Sequence, residues 1–153
     1  MKAVIQRVTR ASCEVEGKIT GSIGQGLMIL LGAAEGDTER ECERLADKIA
    51  KLRIFADSEG KTNLSVCDID GGLLCISQFT LLADCHKGNR PSFIKAGPPD
   101  RAKELCERFM QLLSEKAARP VEQGIFGADM KISLVNDGPF TIVLDCVDGE
   151  ILR

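Results

Sequence analysis

The chain reads as one α+β domain spanning residues 1–153, an antiparallel-rich sheet or partly closed barrel carrying two main helices. Three observations point there. Strand-like apolar runs fill the opening, two later segments repeat their apolar residues every three or four positions, and no linker, low-complexity tract or repeat divides the chain. With 44% hydrophobic residues, 153 residues can bury one sizeable core rather than two.

Residues 2 to 15 and 26 to 33 are rich in Val, Ile, Leu and Cys, and the breaks at Gly17-Lys18 and Gly24-Gln25-Gly26 predict a hairpin followed by a third strand. From Asp37 the period changes. Thr38 and Glu41 fit a capping box, and Cys42, Leu45, Ala46, Ile49 and Ala50 form the apolar stripe of a helix behind it. Asp57-Ser58-Glu59-Gly60 supplies a turn, and Leu73-Leu74-Cys75-Ile76 is short and wholly apolar, the pattern of a buried strand. A second helix opens near Pro99-Asp100, where proline fits a first turn. Its stripe is Ala102, Leu105, Cys106, Phe109, Leu112 and Leu113, and its expected partner is the sheet face. Two late strands, around 129 to 135 and 140 to 147, are expected to meet at a tight turn made by Asn136-Asp137-Gly138-Pro139.

Composition excludes several classes of function. The seven cysteines are odd in number and show no CxxC spacing, so they read as reduced thiols of a cytosolic protein. A zinc site needs clustered thiolates or imidazoles, and the single histidine, His86, has only Cys85 beside it. No metal and no cofactor is expected. A net charge of −3 argues against binding nucleic acid by blanket neutralisation of phosphates, so any RNA recognition must be local. No stretch approaches the ~18 to 20 apolar residues of a membrane span, and charge enters too early, at Lys2 and Arg7, for a signal peptide. The expectation is a soluble, unprocessed, cytoplasmic protein with no membrane partner.

The chemistry-bearing residues do not form a familiar hydrolase constellation. There is no GxSxG elbow, no HExxH helix and no phosphate-binding GxxxxGK[ST] loop. His86 lies in the polar segment Asp84-Cys85-His86-Lys87-Gly88-Asn89-Arg90-Pro91 and reads as a surface residue. Ser77-Gln78-Phe79-Thr80-Leu81 is more informative, because the end of a strand there delivers two hydroxyls, an amide and an aromatic ring to one rim. The plain structural reading is that Phe79 is core and the hydroxyls bond local backbone. Asn136-Asp137-Gly138-Pro139 likewise reads, by itself, as a turn.

These two motifs occur in order, with Gly88-Asn89-Arg90-Pro91-Ser92-Phe93 and Phe126-Gly127-Ala128-Asp129-Met130 between them and Ala3-Val4-Ile5-Gln6-Arg7-Val8 at the start. Together they resemble the D-aminoacyl-tRNA deacylase family over nearly the whole chain. Ser77 and Phe79 resemble its main bacterial and eukaryotic type, while Phe140 departs from the Val usual after Gly-Pro and puts the local pocket wall in question. The resemblance implies an ester hydrolase of translation quality control that releases the D-amino acid from mischarged tRNA, without a cofactor.

It further implies a homodimer with active sites at the interface, where Gly138-Pro139, joined by a cis bond, reaches into the partner's pocket as a wall. Such a wall excludes an L side chain by collision and admits a D side chain, or the absent side chain of glycyl-tRNA. The implied catalytic residues are Thr80 and Gln78. Ser77, Phe79, Gly138, Pro139, Arg7 and Met130 are implied to bind the amino acid and the 3′-terminal adenosine, with Arg7 either holding the Gly138-Pro139 carbonyls or serving as a surface or ion-paired arginine. Two mechanisms fit, Thr80 as nucleophile or the ribose 2′-hydroxyl positioning water, and the second is favoured because no histidine or lysine stands beside Thr80 in sequence. Two other readings remain open: a non-catalytic nucleic-acid-binding protein, and removal of a wrongly attached L-amino acid.

Overall fold

The computed structural model describes residues 1–153. It contains β1 (Lys2–Val15), β2 (Lys18–Ile23), β3 (Gly26–Gly32), α1 (Glu39–Ala50), β4 (Phe55–Ala56), β5 (Thr62–Leu64), β6 (Gly72–Ser77), a 3-10 turn (Phe79–Leu82), α2 (Pro99–Ala117), β7 (Glu122–Gln123), β8 (Lys131–Val147) and β9 (Glu150–Ile151). The main sheet runs β7-β6-β3-β1-β8-β9, with β2 also on β1. Its pairs are antiparallel except β3 with β6 and β6 with β7, and α1 lies in the crossover that makes β6 parallel to β3. No helix is long and apolar enough to cross a membrane.

Strand parity explains how the sheet covers both faces. Leu27, Ile29, Leu31, Leu73 and Cys75 turn toward the helices and join the large core, while the alternate residues Met28, Leu74 and Ile76 join a smaller cluster with Val8, Ala11 and Cys13. Being buried on both sides, β3 and β6 are nearly continuous apolar runs, which is what made β6 visible in the sequence. The stripe expected for α2 is buried in full. Its neighbour is α1 as well as the sheet: the Cys42 thiol donates to the Leu105 carbonyl at 3.3 Å, and Arg108 pairs with Glu39. Burial, reinforced by Cys106 nearby, pushes the Cys42 thiol up to about 12, so this contact is made by a neutral thiol.

One expectation is overturned. Residues 131 to 147 form a single strand, not a hairpin, because both halves pair antiparallel with β1: Leu134 opposite Ala11, and Ile142 opposite Ile5. Asn136–Phe140 is a bulge between them. The Asn136 carboxamide donates to the carbonyls of Arg7 and Phe140, both at 3.0 Å, and accepts from the Phe140 N–H at 3.3 Å. These bonds replace the interrupted ladder, so the chain resumes its course instead of reversing.

The capping box at α1 forms as expected and does more than cap. Glu41 is 3% exposed, and one carboxylate oxygen accepts from the Thr38 N–H at 2.7 Å and hydroxyl at 2.8 Å while the other accepts from the Gly149 N–H at 2.6 Å. It thereby ties the start of α1 to the turn between β8 and β9. Burial raises the Glu41 pKa, but the donors from Thr38 and Gly149 outweigh it and the net direction is down. Glu41→Ala is expected to cost about 2 kcal/mol in urea unfolding at neutral pH. Because the folded-state pKa is depressed, this contribution is whole above the ordinary glutamate range and disappears as the pH falls through the folded value. The difference between Glu41→Ala and the parent should therefore narrow in acid.

Candidate active site

The first motif is delivered by the end of β6. The Gln78 N–H donates to the Leu31 carbonyl at 2.7 Å, fastening the motif to the end of β3, and the 3-10 turn follows at once. The ladder of that turn begins with Leu81 N–H to Gln78 carbonyl, leaving the Phe79 and Thr80 amides outside it. Gly32 makes the close approach possible, since a Cβ there would stand 2.9 Å from the Gln78 carbonyl oxygen and nearer still to Leu82.

Ser77, Gln78, Phe79 and Met130 line one cavity of about 320 Å³, closed by Phe126, Gly127, Ala128 and Asp129. Four of the expected site residues thus meet. Met130 is seated by Gly124, where a Cβ would collide with the Met130 sulfur. Phe79 is not core: it is 54% exposed and meets Phe93 edge to face, centroids 5.0 Å apart. Thr80 is exposed and does not line that cavity, and its hydroxyl oxygen accepts a hydrogen bond from the Gln78 amide. His86 is exposed, as expected, and its backbone N–H donates to Asp84. Gly32 and Gly124 were not singled out by sequence reasoning, because a glycine needed for close approach carries no local signal, and Phe93 and Phe126 entered it only within the resembling segments, with no role assigned.

Arg7, Gly138 and Pro139 form a second group. They lie on β1 and β8, while Ser77 ends β6, and in sheet order β3 and β1 intervene between β6 and β8. Arg7 Nε donates to the Asp137 carbonyl at 3.0 Å, and Nη1 donates to the Ile54 carbonyl at 2.5 Å. The expected carbonyls, those of Gly138 and Pro139, are therefore not the ones bonded; the grip falls one residue earlier, on Asp137, whose carboxylate also pairs with Nε at 3.5 Å, so Arg7 is an ion-paired arginine as well. The guanidinium also stacks 4.7 Å from the centre of the Phe140 ring, which gives the unusual Phe140 a local role. Gly138-Pro139 is cis, and both residues are exposed.

Gly138 has φ +131°, and a Cβ on it would meet Arg7 Nη2 at 2.6 Å. Gly138→Ala is expected to lower stability by about 2 kcal/mol and to displace Arg7 from Asp137, read by denaturant unfolding and by faster amide exchange in the bulge.

The comparisons with known proteins run through both groups. The model of the D-Tyr-tRNA(Tyr) deacylase family matches residues 4–145. The D-aminoacyl-tRNA deacylase of Deinococcus deserti is 59% identical over 145 residues, covering 95% of this chain and 99% of its own. That of Geobacter sulfurreducens is 55% identical, covering 95% of each chain. Among solved structures, a c-Myc DNA Unwinding Element Binding Protein superposes with a TM-score of 0.91 at 43% identity, covering 96% of this chain and 99% of that one. Shared sequence over nearly the whole length, with the β6 motif and most of β8 inside the matched span, means that this chain belongs to the D-Tyr-tRNA(Tyr) deacylase family.

Proposed function

We propose that the chain hydrolyses the ester of D-aminoacyl-tRNA, releasing the free D-amino acid and the tRNA, in the compartment where tRNA is charged, the cytoplasm. The observation that carries the reading is the convergence of Ser77, Gln78, Phe79 and Met130 on one cavity beside the Phe79 and Thr80 amides. An aminoacyl ester is already activated, so the site needs to orient water and stabilise an oxyanion, for which those amides are suited. Water adds to the carbonyl carbon, the bond to the ribose oxygen breaks, and that oxygen takes up a proton.

In this reading Thr80 shapes the site rather than attacking. Its oxygen accepts from Gln78, an amide that cannot take its proton, and the hydroxyl has no basic partner. The ribose 2′-hydroxyl of the terminal adenosine then positions the water. Chirality is set by the Gly138-Pro139 wall of a second copy. Two features support a homodimer of this kind: the chain's own wall stands beyond β3 and β1 from its own cavity, and the outer edge of β8 has no strand partner before the short β9, with Val135 and Val143 exposed along the strand. Glycyl-tRNA, having no side chain, passes the same wall.

The test is hydrolysis of D-tyrosyl-tRNA against L-tyrosyl-tRNA at low enzyme and identical salt. The D ester should be lost about a hundredfold faster or more. Equal rates would reject the wall, and no hydrolysis of either ester would favour a binding protein without catalysis. Thr80→Ala should keep activity within about tenfold, whereas removal of a nucleophile costs on the order of a thousandfold or more. A substrate ending in 2′-deoxyadenosine should be cleaved slowly by the parent.

A further inference from the structure

A second cavity of about 560 Å³ adjoins the candidate active site and shares Phe79, Phe126 and Gly127 with it. Its walls include Phe93, Ile94 and Pro98, and Ile94 is 82% exposed. Phe93 and Ile94 belong to the segment Asp84–Lys95, which is tied down at several points. Asp84 and Ser92 exchange backbone hydrogen bonds of 2.8 and 2.9 Å, Asp84 pairs with Lys95 at 3.0 Å, and the Lys95 carbonyl accepts from the Glu35 N–H at 3.0 Å. The tip between these anchors carries Lys87 and Arg90, both exposed and neither within 4.0 Å of a carboxylate. Nearby Lys95, Arg101 and Lys103 all have acidic partners.

Lys87 and Arg90 are two of eight Lys and Arg side chains without a carboxylate within 4.0 Å, and both stand on the braced segment that carries Phe93 and Ile94 of the cavity wall. An apolar, partly aromatic shelf continuous with a catalytic cavity, flanked by free cations, is the combination that holds single-stranded nucleic acid: bases lie on the shelf and phosphates meet the cations. The tip is four residues from the Asp84 and Ser92 pair, so it stands no farther than about 13 Å from it, within the span of a few nucleotides. We propose that the Asp84–Lys95 loop docks the unpaired 3′ end of the tRNA, with Lys87 and Arg90 on the backbone phosphates that precede the terminal adenosine. This rests on the deacylase reading for its substrate, and it adds that RNA affinity is concentrated in one loop outside the catalytic cavity.

The test compares Lys87→Ala/Arg90→Ala with the charge-preserving Lys87→Arg/Arg90→Lys, both checked for an unchanged thermal melt. Binding of uncharged tRNA is titrated, and hydrolysis is followed for D-tyrosyl-tRNA and for D-tyrosyl-adenosine, which has no preceding phosphates. The alanine pair should raise Kd and KM for tRNA about tenfold with kcat unchanged, and flatten the log–log salt slope of binding by about 1.5. Cleavage of D-tyrosyl-adenosine should be unaffected, and the charge-preserving pair should behave like the parent. Unchanged tRNA binding would overturn the proposal, as would equal losses on tRNA and D-tyrosyl-adenosine, which would make the loop part of the catalytic cavity. If the parent binds tRNA but cleaves neither ester, the deacylase reading fails while the binding comparison still decides the docking loop.

Discussion

The pairing of β8 with β1 on both sides of an interruption is the constraint on which the rest of the molecule depends. A strand that loses its ladder in mid-course ordinarily turns back or frays, since buried backbone groups must find partners. Here the Asn136 side chain supplies three of those partners and Arg7 supplies another, so Gly138-Pro139 protrudes while the register on either side survives. The same strand, β1, carries Ala3 and Ile5 into the helix-covered core and Val8, Ala11 and Cys13 into the opposite cluster, with its register shifts falling on either side of Val8. The bulge that exposes one functional group is thus also where β1 passes from one core to the other.

The other functional group depends on close backbone approach. Ser77 to Thr80 sit where they do because β3 ends in Gly32, letting the turn after β6 fold against it, and because Gly124 makes room for Met130. Neither glycine needs an unusual φ; what matters is the missing Cβ. An alanine at Gly32 would press on the carbonyl of Gln78 and on Leu82, and so would move the two amides proposed to stabilise the oxyanion. A site of this kind is positioned by the shape of its scaffold rather than by a base with a shifted pKa, and no titratable side chain is bonded to Thr80.

Much of the fold was legible because it rests on local periodicity. The capping box, both helical stripes, the opening hairpin and the apolar β6 each leave their pattern within a dozen or so residues of sequence. The error at residues 136 to 140 has a physical source: Asn, Asp, Gly and Pro favour turns by their own backbone preferences, and those preferences serve a bulge equally well. Only the partner strand decides between the two, and the decisive bonds run from Asn136 and Arg7 across more than a hundred residues. The motif at Ser77 was legible as a rim, but the contact between Phe79 and Phe93 and the role of Gly32 are tertiary facts. The Arg7 partner was misplaced by one residue for the same reason.

The distribution of charge bears on how a protein with more acid than base can act on RNA. Uniform positive charge would gain affinity for any nucleic acid and lose discrimination, since phosphates look alike everywhere. In this chain most cations are cancelled by nearby carboxylates, including Arg101 by Glu104 and Lys131 by Asp129, so they add little long-range attraction. Eight Lys and Arg side chains keep no such partner, Lys87 and Arg90 among them, and their attraction is short-ranged in salt. A substrate whose only unusual feature is the stereochemistry at one carbon is well served by such a surface, because weak attachment lets correctly charged tRNA leave before its ester is exposed to water for long. On the proposed reading, selectivity comes from what the cavity excludes rather than from tight attachment.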